Sequence, residues 1–303
     1  MTRYAFYTAD VFTSRRFGGN QLAVLPDARG LDEAAMMTVT REFNYSESVF
    51  VFPPDNPAHT RRLRIFTPAA EMPFAGHPTV GTAFILASIG AIELAEDLTH
   101  FIFEEGVGPV PVSIRAVDGE PVFAQLSAAR MPEVGPTPPA RAELAAVLGL
   151  KEEDLLDGEY SPQGVSCGVP FLFIPVRSRA DLAHIRVDHK LWQSLLGDWW
   201  AREMFVFAFE PELPGSDLRA RMFAPALGIA EDPATGAAAT ALPGYLAPRS
   251  GMSHGTLRGT VEQGFEMGRP SILEVEADLL EGQVQAIRVG GASVMVSEGY
   301  ISV

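Results

Sequence analysis

The sequence predicts an α+β fold built from two related halves. Three observations carry this. Short apolar strands punctuated by Gly and Pro run through most of the 303 residues. Two helices are made almost wholly of small or apolar residues, around 79–89 and 235–246. A motif also recurs: Arg64-Ile65-Phe66-Thr67-Pro68 returns as Arg221-Met222-Phe223-Ala224-Pro225. A second match follows each copy at nearly the same separation, His77-Pro78-Thr79-Val80-Gly81-Thr82-Ala83 against Asp232-Pro233-Ala234-Thr235-Gly236-Ala237-Ala238. Ordered matches of this kind point to a duplicated domain, and the length allows two domains of about 150 residues.

The elements follow in order. Tyr4–Phe12 alternates as a strand, Gly18-Gly19-Asn20 turns, and Gln21–Leu25 is a second strand. Asp32–Phe43 has helical spacing at Ala35, Met36, Val39 and Phe43. Ser48–Phe52 and Arg61–Phe66 are strands, Thr79–Ile89 a helix apolar on almost every face, and several strands lie between Phe101 and Leu126. Met131–Arg141, rich in proline, reads as a connector, and Ala140–Leu148 as a helix stopped by Gly149. Strands resume near Gly168–Val176 and Met204–Phe209. The helix Thr235–Leu246 follows despite Pro243, then strands Thr256–Gln263, Ser271–Ala277, Gln283–Val289 and Ser293–Val303. The boundary is expected at 118/119, giving an N-terminal half 1–118, to which 293–303 returns, and a C-terminal half 119–292.

Composition narrows the function. A net charge of −15 disfavours nucleic acid and anionic membrane as partners, because both need a basic surface. A small anion is still admissible, since helix N-termini hold anions with backbone N–H groups. One cysteine, Cys167, precludes an internal disulfide and a multi-cysteine metal site; it is read as a buried strand residue. No signal-peptide layout and no apolar run of about 18 residues appear, so the cytoplasm is expected. Without a secretory signal, the triplet Asn44-Tyr45-Ser46 is a chance glycosylation match. His59, His100, His184, His189 and His254 show no compact ligand spacing, so no metal is expected. No dinucleotide or Walker loop and no nucleophile elbow are present. Trp192, Trp199 and Trp200 flank a helical segment and are read as packing or dimer contacts.

The matched loops carry the chemistry. Each sets a titratable residue, His77 or Asp232, directly before a proline at a helix start. Proline suits the first turn, and the small residues behind it let a ligand approach unpaired N–H groups. Such a cradle stabilises a carboxylate or an enolate-like anion. Asp232 equally reads as an ordinary helix cap. Glu47 leads into the apolar run Ser48–Phe52; it reads as a solvated strand-end residue or, if buried, as a general base.

These residues fall in motifs that resemble the phenazine-biosynthesis PhzF-like family of the diaminopimelate-epimerase-like superfamily. They are Asp10-Val11-Phe12, Gly19-Asn20-Gln21-Leu22-Ala23-Val24, Ser46-Glu47, Phe66 through Thr79, Glu231 through Gly236, Gln263-Gly264, Met267 through Ser271 and Gly290-Gly291. The resemblance spans essentially the whole chain. It implies two pseudo-symmetric halves, each a mainly antiparallel barrel-like sheet around a central helix. It implies a cofactor-independent isomerase moving a proton on a small carboxylated substrate, as in trans-2,3-dihydro-3-hydroxyanthranilate isomerisation, and a homodimer. It assigns catalysis to Glu47, His77 and Asp232, and substrate contacts to Asn20, Ser46, Gly76, Thr79, Gly236 and Ala237. Ala237 stands where the family commonly has serine, which removes a hydroxyl donor and puts the phenazine substrate in question. A non-catalytic carboxylate-binding protein and a lyase using the same residues are the alternatives.

Overall fold

The computed structural model describes residues 2–95 and 97–303. The chain forms two compact units, Met1–Ala129 with Arg288–Val303, and Arg130–Ile287.

In the first unit β1 (Arg3–Val11) pairs antiparallel with β2 (Asn20–Leu25). Their connection depends on Gly19, whose φ is +61° and whose Cβ, if present, would stand 2.3 Å from the Val11 carbonyl oxygen. Helix α1 (Glu33–Phe43) is capped by Asp32, whose carboxylate accepts from the Ala35 N–H at 2.8 Å. It stops at Asn44 in the left-handed region. Its apolar face, Met36 and Val39, packs with Tyr4, Leu25, Phe50 and Phe66. The chain then enters β3 (Glu47–Phe52), parallel to β2, and turns back antiparallel into β4 (Arg61–Phe66) and the short β5 (Glu71–Met72).

Helix α2 (Gly76–Ser88) follows, buried at every position from Gly76 to Ala87. It packs on β1, β2 and β3 and on β7 (Gly108–Val117) and β8 (Glu120–Ser127). Strand β6 (Leu98–Glu105) runs parallel to β4 and opens the β6–β7–β8 meander. Enclosure explains the small residues of α2: a Cβ on Gly81 would lie 2.5 Å from Val11 Cγ2 and 2.6 Å from Leu22 Cδ2.

The second unit contains β9 (Glu133–Val134), α3 (Arg141–Leu148), β10 (Gln163–Ser166), β11 (Pro170–Pro175), α4 (Arg179–His184), α5 (His189–Leu196) and β12 (Glu203–Ala208). Then come β13 (Leu218–Ala224), β14 (Ile229–Asp232), α6 (Gly236–Leu246), β15 (Gly255–Gln263) and β16 (Ser271–Leu280). Helix α3 ends at Gly149, in the left-handed region at φ 70°. Strand β12 is parallel to β11 and antiparallel to β13; β13 pairs antiparallel with β14 and parallel with β15. The same succession holds for β2, β3, β4, β5 and β6, with α2 and α6 at the same place in the order. The repeated Arg–Pro motifs therefore fall on the strands β4 and β13. Trp192 is buried and donates to the Arg202 carbonyl at 3.0 Å, and Trp199 and Trp200 pack beside Gly164.

Strand β17 (Gln283–Gly291) crosses the unit boundary, and its end pairs with β8. Strand β18 (Ser293–Ser302) pairs antiparallel along all of β1, from Val11↔Ser293 to Arg3↔Ser302. The boundary expected at 118/119 is corrected. Asp118 and Gly119 form the tip of the β7–β8 hairpin, both at positive φ, and the division lies at 129/130. The return begins at Arg288, inside β17, rather than at 293. Among the described residues no helix is long and apolar enough to cross a membrane.

Gly19→Ala combines left-handed strain with a backbone clash and is expected to cost about 2–4 kcal/mol, read as a lower urea midpoint at unchanged slope.

Candidate active site

Two sequence-predicted residues meet in the first unit. Glu47 is the first residue of β3, placed beside Leu22 by the parallel β2–β3 register. Its side chain is only 14% exposed, so it is not a solvated strand-end residue. Helix α2 begins at Gly76, three residues earlier than its spacing suggested, which puts His77 inside the first turn and 4% exposed. His77 Nε2 lies 3.5 Å from Glu47 Oε2.

The other ring nitrogen, Nδ1, is 3.2 Å from Asn20 Nδ2. Among the described residues Nε2 is buried without a hydrogen-bond partner, so the ring's hydrogen bonding is made through Nδ1. Asn20 is itself buried. It was expected to contact substrate; the structure places it against the imidazole, at the start of the strand that follows the Gly19 turn. Burial pushes the His77 pKa down to about 3, and the Gln21 backbone, pulling upward, offsets this only in part. The ring is therefore neutral at ordinary pH.

Asp232 is also buried, at 5% exposure, but its local structure differs from that of His77. It ends β14 and does not cap a helix: α6 starts at Gly236 with Thr235 as its N-cap residue. Asp232 Oδ2 accepts from the Thr235 hydroxyl at 2.6 Å. Gln263, at the end of β15, fixes this loop. Its Nε2 donates to the Asp232 carbonyl at 2.8 Å and to Thr235 Oγ1 at 2.9 Å, and its Oε1 accepts from the Thr235 N–H at 3.1 Å. The structure thus matches Pro233 with Pro73 rather than Pro78: β5 ends at Met72 and α2 starts at Gly76, as β14 ends at Asp232 and α6 starts at Gly236, so Asp232 corresponds to Met72 and not to His77.

Of the remaining residues, Ser46 and Ala237 are partly exposed, while Gly76 and Gly236 are buried in the first turns of α2 and α6. Thr79, expected at the substrate, has its side chain turned into the core. It is fully buried, and its hydroxyl is engaged with the Ala75 carbonyl at 2.8 Å and Glu105 Oε1 at 2.6 Å. Cys167 is corrected. It lies in the β10–β11 turn, half-buried, 3.5 Å from the Thr240 carbonyl, and burial pushes its thiol up to about 12. Such a thiol is a poor nucleophile. Sequence reasoning missed Glu105 and the role of Gln263. Glu105 is in phase with Phe101 and Phe103 along β6, which marks it as inward-facing.

Comparison with known proteins fits this arrangement. A profile of the phenazine biosynthesis-like proteins, PhzC-PhzF, matches residues 9–299. The chain belongs to this family. An uncharacterized isomerase of Mesorhizobium japonicum is 39% identical over 295 residues, covering 96% of each chain. The trans-2,3-dihydro-3-hydroxyanthranilate isomerase of Pseudomonas aeruginosa is 34% identical over 302 residues, covering 98% of each. A crystal structure of a PhzF-family phenazine biosynthesis protein from Bacillus anthracis superposes with a TM-score of 0.89 at 26% identity over 100% of both chains. This PhzF-family chain is an isomerase by kinship, on an α+β fold with mixed strand pairing.

The His77 value yields a pH prediction. The folded pKa, about 3, lies below the ordinary 6.5, so between these values the unfolded chain binds the extra proton. His77 therefore lowers stability as pH falls from about 6.5, by about 1–2 kcal/mol between pH 7 and pH 5. Nitrogen-15 NMR should show a neutral His77 ring down to about pH 4. Urea unfolding of His77→Gln should show a correspondingly shallower acid decline.

Proposed function

We propose that the chain is a cofactor-independent isomerase or epimerase that moves one proton on a small carboxylated substrate, with Glu47 as both base and acid. The observation that carries this reading is the 3.5 Å approach of the Glu47 carboxyl to a buried imidazole that Asn20 orients.

In the proposed cycle a Glu47 carboxylate oxygen takes a proton from substrate carbon. The C–H bond breaks, an O–H bond forms on Glu47, and the electron pair delocalises toward the substrate carboxylate. The same carboxyl then returns the proton to another carbon on the same face, breaking its O–H bond and forming a new C–H bond, so no electrons are gained or lost. The neutral His77 ring, 3.5 Å from the carboxyl, restricts the space in which it turns between the two transfers. Positioned groups of this kind supply about 10²–10⁴-fold. The unpaired N–H groups opening α2 favour the developing negative charge.

Asp232 is assigned to the same reaction through the family resemblance, as a group that orients substrate. Ser46, Gly76, Gly236 and Ala237 are proposed as its polar and backbone lining. Alanine at 237 gives one side-chain donor fewer than the family's usual serine, so we propose a substrate other than the phenazine precursor. The matching order of strand pairings supports reading the two units as copies of one duplicated element, each a barrel-like sheet around α2 or α6.

The test is incubation in D2O with trans-2,3-dihydro-3-hydroxyanthranilate, the substrate named for the Pseudomonas relative, and with a panel of small hydroxy and amino carboxylates, followed by NMR. Deuterium uptake or isomerisation should fall by at least about a hundredfold in Glu47→Gln, with ligand binding retained. Full turnover in that variant would remove Glu47 from the reaction. A product lighter by one water would make the enzyme a lyase. Tight binding without exchange for every compound would leave a binding protein.

A further inference from the structure

We infer that Glu105 is a positioning residue, held as a neutral carboxylic acid, that fixes the N-terminal turn of α2, and with it His77, through the Thr79 hydroxyl. Its bearing on catalysis rests on the Glu47–His77 reading above; its protonation and the relay do not.

The hydrogen-bond geometry gives the direction of the relay. Thr79 Oγ1 is 2.8 Å from the Ala75 carbonyl oxygen and 2.6 Å from Glu105 Oε1, all in a buried setting. A hydroxyl has one proton, and a carbonyl only accepts. Thr79 therefore donates to Ala75, and the proton in the second contact comes from Glu105. An ionised Glu105 would leave three oxygens sharing one proton. Ala75 is the N-cap residue of α2, without a side-chain cap of its own, and His77 stands two residues further on.

The surroundings offer nothing to neutralise a charge at Glu105. A cavity of about 670 Å³ beside it is lined by Asp55, His59, Arg62, Arg64, Glu71 and Glu104. Arg62 pairs with Asp55 at 3.4 Å, Arg64 with Glu71 at 2.5 Å and Glu33 at 2.9 Å, and His59 with Glu104 at 2.8 Å. Among the described residues no cation contacts Glu105, and the titratable group on the facing turn of α2, His77, is neutral. Burial pushes the Glu105 pKa up to about 8.

The second unit performs the same task with a group that cannot ionise. Gln263 ends β15, the strand parallel to β13, as Glu105 ends β6, the strand parallel to β4. Each is followed by a glycine against a proline backbone: a Cβ on Gly106 would meet Pro73 Cα at 2.8 Å, and one on Gly264 would meet the Pro233 carbonyl oxygen at 2.5 Å. Gln263 supplies one donor and one acceptor to the turn before α6. Glu105 makes one contact, to the Thr79 hydroxyl in the first turn of α2, and only as a protonated acid can it donate there as Gln263 donates to the Thr235 hydroxyl.

The test uses the full chain labelled with carbon-13 glutamate and infrared spectroscopy from pH 5 to 9. Glu203, a second buried glutamate raised to about 7, is removed by Glu203→Gln. A carboxylic-acid carbonyl band should survive that change, vanish near pH 8, shift in Thr79→Val and be absent in Glu105→Gln. The folded pKa lies above the ordinary 4.5, so Glu105 contributes stability that fades as pH rises from about 4.5 to 8. The urea midpoint of Glu105→Gln should therefore exceed that of the parent at pH 8, while Glu105→Ala lowers it throughout and moves the His77 NMR signals. Absence of the acid band in Glu203→Gln at pH 6, or a Glu105→Gln midpoint as low as that of Glu105→Ala at pH 8, would overturn the proposal. The band can pass while D2O exchange fails, and the reverse, so the two readings fall separately.

Discussion

The first unit is organised around burying the polar start of a helix. An imidazole taken out of water is held in place by its polar neighbours, and each neighbour places a demand on the chain. Asn20 reaches Nδ1 only because β2 begins there, directly after a turn that glycine alone makes without strain. Glu47 reaches Nε2 only because β3 runs parallel to β2 in the register that sets it beside Leu22. The helix itself enters the sheet because Gly81 presents no side chain to Val11 and Leu22. The state of these two groups is thus a property of packing: the surroundings hold the ring neutral and restrict the carboxyl.

Much of this was legible in the sequence where short-range rules decide. Asp32 and Gly149 mark helix ends by residue type, and both act as such. The Arg64–Pro68 and Arg221–Pro225 repeat located corresponding strands, since both copies carry the same alternation and the same proline stop. The α+β class followed from strand punctuation and two all-apolar helices. Among site residues, Glu47 and His77 lie 3.5 Å apart in the first unit.

What was not legible depended on contacts from far along the chain. Asp118-Gly119 has the composition of a boundary and equally that of a hairpin tip; only the partner strands distinguish them. His77-Pro78 and Asp232-Pro233 look alike in sequence, yet the strand pairings equate Asp232-Pro233 with Met72-Pro73, since α2 and α6 each start three residues after that proline. Thr79 belongs to a motif that the sequence marks as a ligand loop, while its own side chain faces inward to Glu105. The inward phase of Glu105 with Phe103 was present in the sequence, but a glutamate at a strand end is normally solvated, and that expectation masks the pattern.

The closing strand has a consequence for how the protein is made. β18 lies along the whole of β1, and Thr2 and Val303 exchange backbone hydrogen bonds at 2.9 and 3.0 Å. The second unit, by contrast, is one uninterrupted stretch of chain. On a ribosome that stretch has all its strands before β18 has been synthesised, whereas the first unit waits with β1 unpaired along one edge. The order of completion therefore inverts the order of translation, and the residues around Glu47 are finished only when the last strand docks.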